Sequence, residues 1–353
     1  MLPTAAAPAL REYLRHDDLV LLLRAAGDED RFRDSAARFG LASVDHVCLG
    51  STQGAHPAGR WCFRVPDTEV ERGRGAADAA WDRARQPTID WLARRNTGSE
   101  IGVALGAGAA SGLAHLGVLQ VLEEAGIAVD YPCGSSMGGV VALTYAKVGS
   151  ARRATEVCRE LIGSNDKLRD LTWLPRSALL RGAKRRGVAR KAMGSTTFAE
   201  FQRPTAVVAA DLVKGDRFVF EEGSGRVAML ATSAIPGIFP PESYDGRLLV
   251  DGGLVSRIPV DLLERRRCGL KIAVNVVPSP AHKEDDYARL SGAFDRFFGL
   301  TNVIASSWGL LAWWHGAGEG SQADILLEPQ RGRRTRRRQT SASNSSSTSS
   351  TTV

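Results

Sequence analysis

The chain has 353 residues, enough for one large domain or two smaller ones, and an apolar share of 43%, ordinary for a globular protein. Its formal charge is +7, but six of the positive charges lie in Arg331-Gly-Arg-Arg-Thr-Arg-Arg-Arg338, so the basic character belongs to the tail and not to the fold. Five scattered cysteines (Cys48, Cys62, Cys133, Cys158, Cys268) without C-x-x-C spacing argue against a disulfide framework or a zinc site and for a reducing compartment, and the six histidines show no metal-ligand spacing.

Leu19-Val-Leu-Leu-Leu23 is a short apolar run ended by Arg24, with no small-residue cleavage pattern behind it, so it does not read as a secretory signal. No stretch reaches the ~18 uninterrupted apolar residues of a membrane span. The expected location is cytoplasmic, with membrane contact only at the periphery. Leu19–Leu23 and Val44-Asp-His-Val-Cys-Leu49 read as strands with a helix from Asp28 to Phe39 between them, one βαβ-like unit. A glycine-rich loop, Gly50 to Gly59, leads to a further strand at Trp61-Cys-Phe-Arg-Val65. Ala76 to Arg95 has helical spacing (Trp81, Ile89, Trp91, Leu92), interrupted at Pro87. Residues 1–95 thus form a small α/β segment with no chemical constellation; His46 and His56 read as surface or packing residues.

Ile101-Gly-Val-Ala-Leu105 is a strand that runs into Gly106-Ala-Gly-Ala-Ala-Ser-Gly112, followed by a helix to about Ala125. A glycine-rich loop between strand and helix presents successive backbone N–H groups to an anion. Gly106-x-Gly108-x-x-x-Gly112 misses the dinucleotide fingerprint by one residue, has no acidic ribose partner ~20 residues on, and lacks the Gly-Lys-Ser/Thr of a phosphate loop. The oxyanion of an ester-cleavage intermediate is the better candidate.

The next unit explains why. Gly134-Ser135-Ser136-Met137-Gly138 fits G-x-S-x-G, a serine on a sharp strand-to-helix turn. A β-leaning run, Gly126 to Tyr131, precedes it, and Val140, Val141, Leu143, Thr144 and Val148 give the following helix an apolar face. Ser136 would stand at a helix N-terminus, whose partial positive charge favours an oxyanion. Lying one βαβ unit apart, the two loops should sit side by side at the carboxyl edge of a parallel sheet.

Residues 151–200 are basic and helical with a loop at Trp173-Leu-Pro175, either a cap over the site or a solvated insertion. Thr205 to Ala210 and Asp216 to Phe220 are strands, Val227 to Thr232 a helix, and Ser233-Ala-Ile-Pro-Gly-Ile-Phe-Pro-Pro241 an apolar loop that its prolines keep from being helical. Tyr244-Asp-Gly246 is a hairpin turn. Leu248-Leu-Val250 is a strand ending in Asp251-Gly-Gly253, where glycines let the backbone turn away and leave the carboxylate at the strand end. Ile272 to Val277 is a buried strand. The aromatic-rich stretch Ala293 to Trp314 reads as a core helix rather than a membrane-facing one. Ala323 to Pro329 closes the fold as an edge strand, so one domain spans 96–330. Residues 331–353, arginines and then Ser/Thr repeats, cannot bury apolar surface and form a disordered tail. Its arginines suit anionic lipid headgroups or nucleic acid, but a solvated tail with neither role is the default.

Three stretches together resemble the patatin-like phospholipase family: the loop Gly106–Gly112 with His115-Leu-Gly-Val-Leu119, the elbow Gly134–Gly138, and Ser233–Pro241 leading to Val250-Asp-Gly-Gly253 and Ile258-Pro-Val260. The resemblance covers about residues 99–329, and the segment before it is similar to the region ahead of the catalytic domain in bacterial members of the neuropathy-target-esterase branch. It implies a three-layer α/β/α fold with a mainly parallel central sheet. It implies a Ser–Asp dyad, Ser136 as nucleophile and Asp251 as its activator, cleaving ester bonds of phospholipids or lysophospholipids. The amides of Gly106, Ala107, Gly108 and Ala109 would form the oxyanion hole, with no metal or organic cofactor. The expected partners are the lipid substrate and a membrane surface; nucleic acid is not expected. The family's usual glycine is Ala109 here and its usual arginine is Ser111. These departures keep open a weakened enzyme, or a lipid-binding scaffold without activity. A Ser136–His282–Asp251 arrangement is a further variant, although His282 lies in a charged, proline-flanked stretch that reads as an exposed loop.

Overall fold

The computed structural model describes residues 90–162 (92 and 96 excepted), 178, 180–277, 307 and 318–329, together with the backbone of three strands near the start of the chain. Those strands, β1 (Val20–Ala25), β2 (Val44–Leu49) and β3 (Cys62–Val65), form a parallel three-stranded sheet in the order β1-β2-β3. The expected helix 28–39, the loop 173–175, the aromatic stretch 293–314 (residue 307 apart), His56, His282, His315 and the tail 331–353 lie outside the described residues.

The second sheet has eight strands. β4 (Ile101–Leu105), β5 (Tyr131–Ser135), β6 (Ala206–Asp211), β10 (Leu270–Val274) and β11 (Ile325–Leu327) run parallel in the order β11-β10-β4-β5-β6. Three antiparallel strands, β7 (Asp216–Phe220), β8 (Glu242–Tyr244) and β9 (Arg247–Asp251), extend it from β6. The helices are α1 (Ala114–Glu124), α2 (Met137–Val148), α3 (Ala151–Ile162), α4 (Ala183–Met193), α5 (Gly225–Thr232) and α6 (Val260–Arg266).

Alternation along the strands builds the layers. Val103 and Leu105 of β4, Val207 and Ala209 of β6 and Val274 of β10 face one core, which takes in Leu116 and Leu119 of α1, Val141 and Leu143 of α2, Met193 of α4 and Met229 of α5. Ala104, Ala206, Val208 and Ala273 face the other, with Val260, Leu262 and Leu263 of α6. Covered on both faces, the sheet is the middle of three layers, as a largely parallel sheet requires.

One expectation needs correcting. The strand before Ser136 is Tyr131–Ser135 and not the run that begins at Gly126. Gly126, at φ 72°, turns the chain off α1, with the Ile127 N–H closing back on the Leu122 carbonyl. Asp130 then anchors the entry to β5: Arg94 holds its carboxylate with two bonds of 2.8 Å, and the Ile101 N–H donates to it at 3.0 Å. Tyr-Pro-Cys-Gly-Ser is a poor strand by propensity, yet every residue of it is buried between β4 and β6, and tertiary pairing decides.

Candidate active site

β6 sets the site's geometry. Its first half pairs in parallel with β5, Val208 opposite Ser135. β5 then stops, and β9 takes over antiparallel, with Asp251 opposite Ala209. The ends of β5 and β9 therefore meet head to head on adjacent rungs of β6. There the Ser136 Oγ donates to Asp251 Oδ2 at 2.6 Å across 115 residues of chain. Gly252 fits the junction because a Cβ at that position would lie against the Val208 carbonyl and 2.8 Å from Ser135 Oγ.

Ser136 has φ 53° and ψ −125°, a backbone region that L-residues avoid, and it caps α2. Two close approaches compel the sharp turn: a Cβ on Gly134 would meet the Gly138 backbone at 2.5 Å, and one on Gly138 would meet the Leu105 carbonyl. Thr232, the last residue of α5, fixes the strained residue. Its hydroxyl accepts the Ser136 N–H at 3.0 Å and donates to the Val208 carbonyl at 2.6 Å.

Asp251 is completely buried. Its Oδ1 accepts the Gly253 N–H at 2.8 Å, and its own N–H donates to the Ala234 carbonyl at 3.0 Å. Burial pushes its carboxyl up to about 6, against the pull of the Ser136 and Gly253 hydrogen bonds and the charge of Arg185. Arg185 reaches the site from α4. It is itself buried, donates to the Leu230 carbonyl at 2.7 Å and the Ser233 hydroxyl at 3.3 Å, and pairs with Glu242 at 2.8 Å. Burial lowers its pKa to about 10, which leaves it charged at neutral pH.

The glycine loop lies beside the elbow, at the end of the neighbouring strand β4. Of its four amides, two are committed to the fold: the Gly106 N–H donates to the Val274 carbonyl at 3.0 Å and the Ala107 N–H to the Arg257 carbonyl at 2.9 Å. Glu319 holds that second acceptor in place by accepting the Arg257 and Ile258 amides at 2.8 and 2.6 Å. The amides of Gly108 and Ala109 have no acceptor among the described residues. Ala109 stands at φ 45°, where glycine would be at ease and alanine costs roughly 1–2 kcal/mol. Behind the loop, His115 is fully buried and its Nε2–H donates to the Gly106 carbonyl at 2.7 Å, leaving Nδ1 a bare, unpartnered acceptor. Burial pushes this imidazole down to about 4, so it stays neutral.

Ser136 and Asp251 are thus brought into contact, with the loop 106–109 alongside. Thr232 and Arg185 are additions that no local pattern marks. Among the described residues no group of histidine, cysteine or carboxylate side chains could hold a metal ion, and no helix is long and apolar enough to cross a membrane.

Comparison with known proteins agrees with this architecture. Residues 103–264 match the family model for patatin-like phospholipases, a stretch that runs from β4 into α6 and includes both Ser136 and Asp251. Over that stretch the chain is similar to patatin-like phospholipases. An uncharacterised NTE family protein of Mycobacterium tuberculosis is 37% identical over 191 residues, covering 52% of this chain and 33% of that protein. A second from the same organism is 34% identical over 191 residues, covering 53% and 52%. Mouse patatin-like phospholipase domain-containing protein 6 is 31% identical over 198 residues, covering 54% and 14%. The chain therefore spans about half of these relatives at most. Among solved structures, VipD from Legionella pneumophila aligns over 57% of this chain and 55% of its own, with a TM-score of 0.34 and 14% identity.

Proposed function

We propose that the protein is a serine acyl hydrolase that cleaves carboxylic ester bonds of phospholipids or lysophospholipids with Ser136 and Asp251 as a dyad. The observation that carries this reading is the direct 2.6 Å bond between the Ser136 hydroxyl and a buried carboxylate, with no imidazole between them. Asp251 takes the proton as Ser136 Oγ adds to the ester carbonyl. The oxygen that becomes negative is received by the Gly108 and Ala109 amides and by the open N-terminal turn of α2, whose first backbone N–H groups have no partners among the described residues. Collapse expels the alcohol, which takes the proton from Asp251. Water then attacks the acyl-enzyme by the same route, so the cycle needs no metal or organic cofactor. A carboxyl raised to about 6 is a stronger base than an exposed one and is still ionised at neutral pH, which suits the role.

The test is labelling with a fluorophosphonate, which reacts only with an activated serine. Wild type should label, and Ser136→Ala and Asp251→Ala should not. A well-folded wild type that fails to label would sink the hydrolase reading and leave lipid binding as the role of the fold.

Arg185 should be visible in the pH dependence. The reaction requires ionised Asp251, so kcat/KM for a soluble ester should rise with pH through about 6. Arg185→Met removes a cation that favours the carboxylate and should move that midpoint to higher pH, whereas Arg185→Lys should restore most of the shift. An unmoved midpoint in active Arg185→Met would reduce the residue to a brace for Glu242 and the Leu230–Ser233 turn.

A further inference from the structure

We infer that α4 is a docking face for an anionic bilayer beside the site. The inference rests on the lipid-hydrolase reading for its purpose, but its test does not. Between residues 171 and 199 the chain has no aspartate or glutamate. In the same stretch Arg181, Lys184, Arg186, Arg190 and Lys191 are all exposed, while Arg185, Ala189, Ala192 and Met193 turn inward. At 100° per residue the helical cations cover the whole outward side of α4. Among the described residues no carboxylate pairs with Arg181, Arg190 or Lys191, and Arg186 shares Glu242 with Arg185. An exposed helix face holding only positive charge is a strong local source of attraction for a negative surface.

The position of the helix connects that surface to the chemistry. The Leu180 N–H donates to the Ile238 carbonyl at 3.0 Å, Ala178 bridges to Gly237, and Gly182 lies against Pro240. The segment leading into α4 is therefore anchored on the Ser233–Pro241 loop, whose Ala234 carbonyl holds the Asp251 amide. A bilayer bound along α4 would be held next to the dyad. Phosphate and other anionic headgroups supply the complementary charge, so the occupant is an anionic membrane surface.

Vesicle co-sedimentation of the full chain tests this, with phosphatidylcholine vesicles beside vesicles containing 30% phosphatidylglycerol. Wild type should bind the anionic vesicles at least tenfold more tightly, and the preference should fade between 0.1 and 0.5 M salt. The neutralised variant R186Q/R190Q/K191Q should bind them about ten- to a hundredfold more weakly. It should keep its thermal transition and its turnover of a soluble short-chain ester. R190Q/K191Q reads the same effect at smaller size if the triple variant is unstable. A third variant, with all six arginines of 331–338 changed to glutamine, should retain most of the binding. Equal binding by the triple variant, a preference carried only by the tail, or no preference in wild type would each overturn the inference. Loss of soluble-ester turnover in wild type would instead count against the hydrolase reading and leave the vesicle result standing.

Discussion

Asp251→Asn should abolish turnover and stabilise the protein. Asparagine preserves the shape and can still accept the Gly253 amide, but it cannot take the Ser136 proton; loss of a positioned base costs about 10²–10⁴-fold in rate. The stability gain follows from the direction of the carboxyl's shift. In the unfolded chain the group titrates near its ordinary value of 3.8, and in the fold at about 6, so the folded state holds the proton more tightly. The stability attached to this proton is fully present below the unfolded value and is lost as pH rises through about 6. Above that, burying the ionised carboxylate costs about 3 kcal/mol relative to the protonated form. Asparagine is neutral throughout and escapes that cost. The variant should melt a few degrees above wild type at pH 8, and the difference should vanish near pH 4. Paired thermal scans at the two pH values, beside rates on a soluble ester, measure both halves. A variant less stable than wild type at pH 8 would mean that the hydrogen bonds around Asp251 outweigh its desolvation.

Gly252→Ala should cost activity by a different route. The new methyl would press on the Val208 carbonyl oxygen, and would lie 2.7 Å from its carbonyl carbon and 2.8 Å from Ser135 Oγ. β6 cannot yield, since β5 and β7 pair with it at Val208 from either side. The end of β9 must therefore withdraw, carrying Asp251 off Ser136. Overpacking of this kind costs about 1–3 kcal/mol in stability. A displacement near 1 Å at reacting groups costs on the order of 10²-fold in rate. Gly246→Ala is the control. Gly246 stands at φ 68° in the β8–β9 turn with nothing within 4 Å of a Cβ, so it should lose a little stability and no activity per folded molecule. Equal activity loss in both variants would show that β9 transmits any disturbance and that the Gly252 contact is not special.

Much of the site was legible because its chemistry lies in local patterns. A glycine loop after a strand, G-x-S-x-G before a helix, and Asp-Gly-Gly at a strand end each announce a turn with a job, and their order along the chain points to one sheet edge. Other parts depend on partners far away in sequence. Thr232 meets Ser136 across 96 residues and Arg185 meets Ser233 across 48, and neither belongs to a motif. The glycine loop could not reveal that Val274 and Arg257 already occupy two of its four amides, since those acceptors arrive with β10 and with the segment before α6. The limits of β5 were obscured because its residues are strand-like only by where they are buried.

The register of β6 has a bearing on how such a chain can change over time. Val208 and Ala209 fix where Ser135 and Asp251 end up, whatever lies between them. Apart from Thr232 and Ala234, which hold Ser136 and Asp251 directly, the chain from α2 to β6 and from β6 back to β9 adds little to the distance between hydroxyl and carboxylate. Insertions, deletions and new helices can accumulate in both intervals, α3 and α4 included, while the reacting pair holds its spacing. On the proposed reading, what the protein meets at its surface and what it does to an ester are written in separate parts of the chain, free to diverge at separate rates.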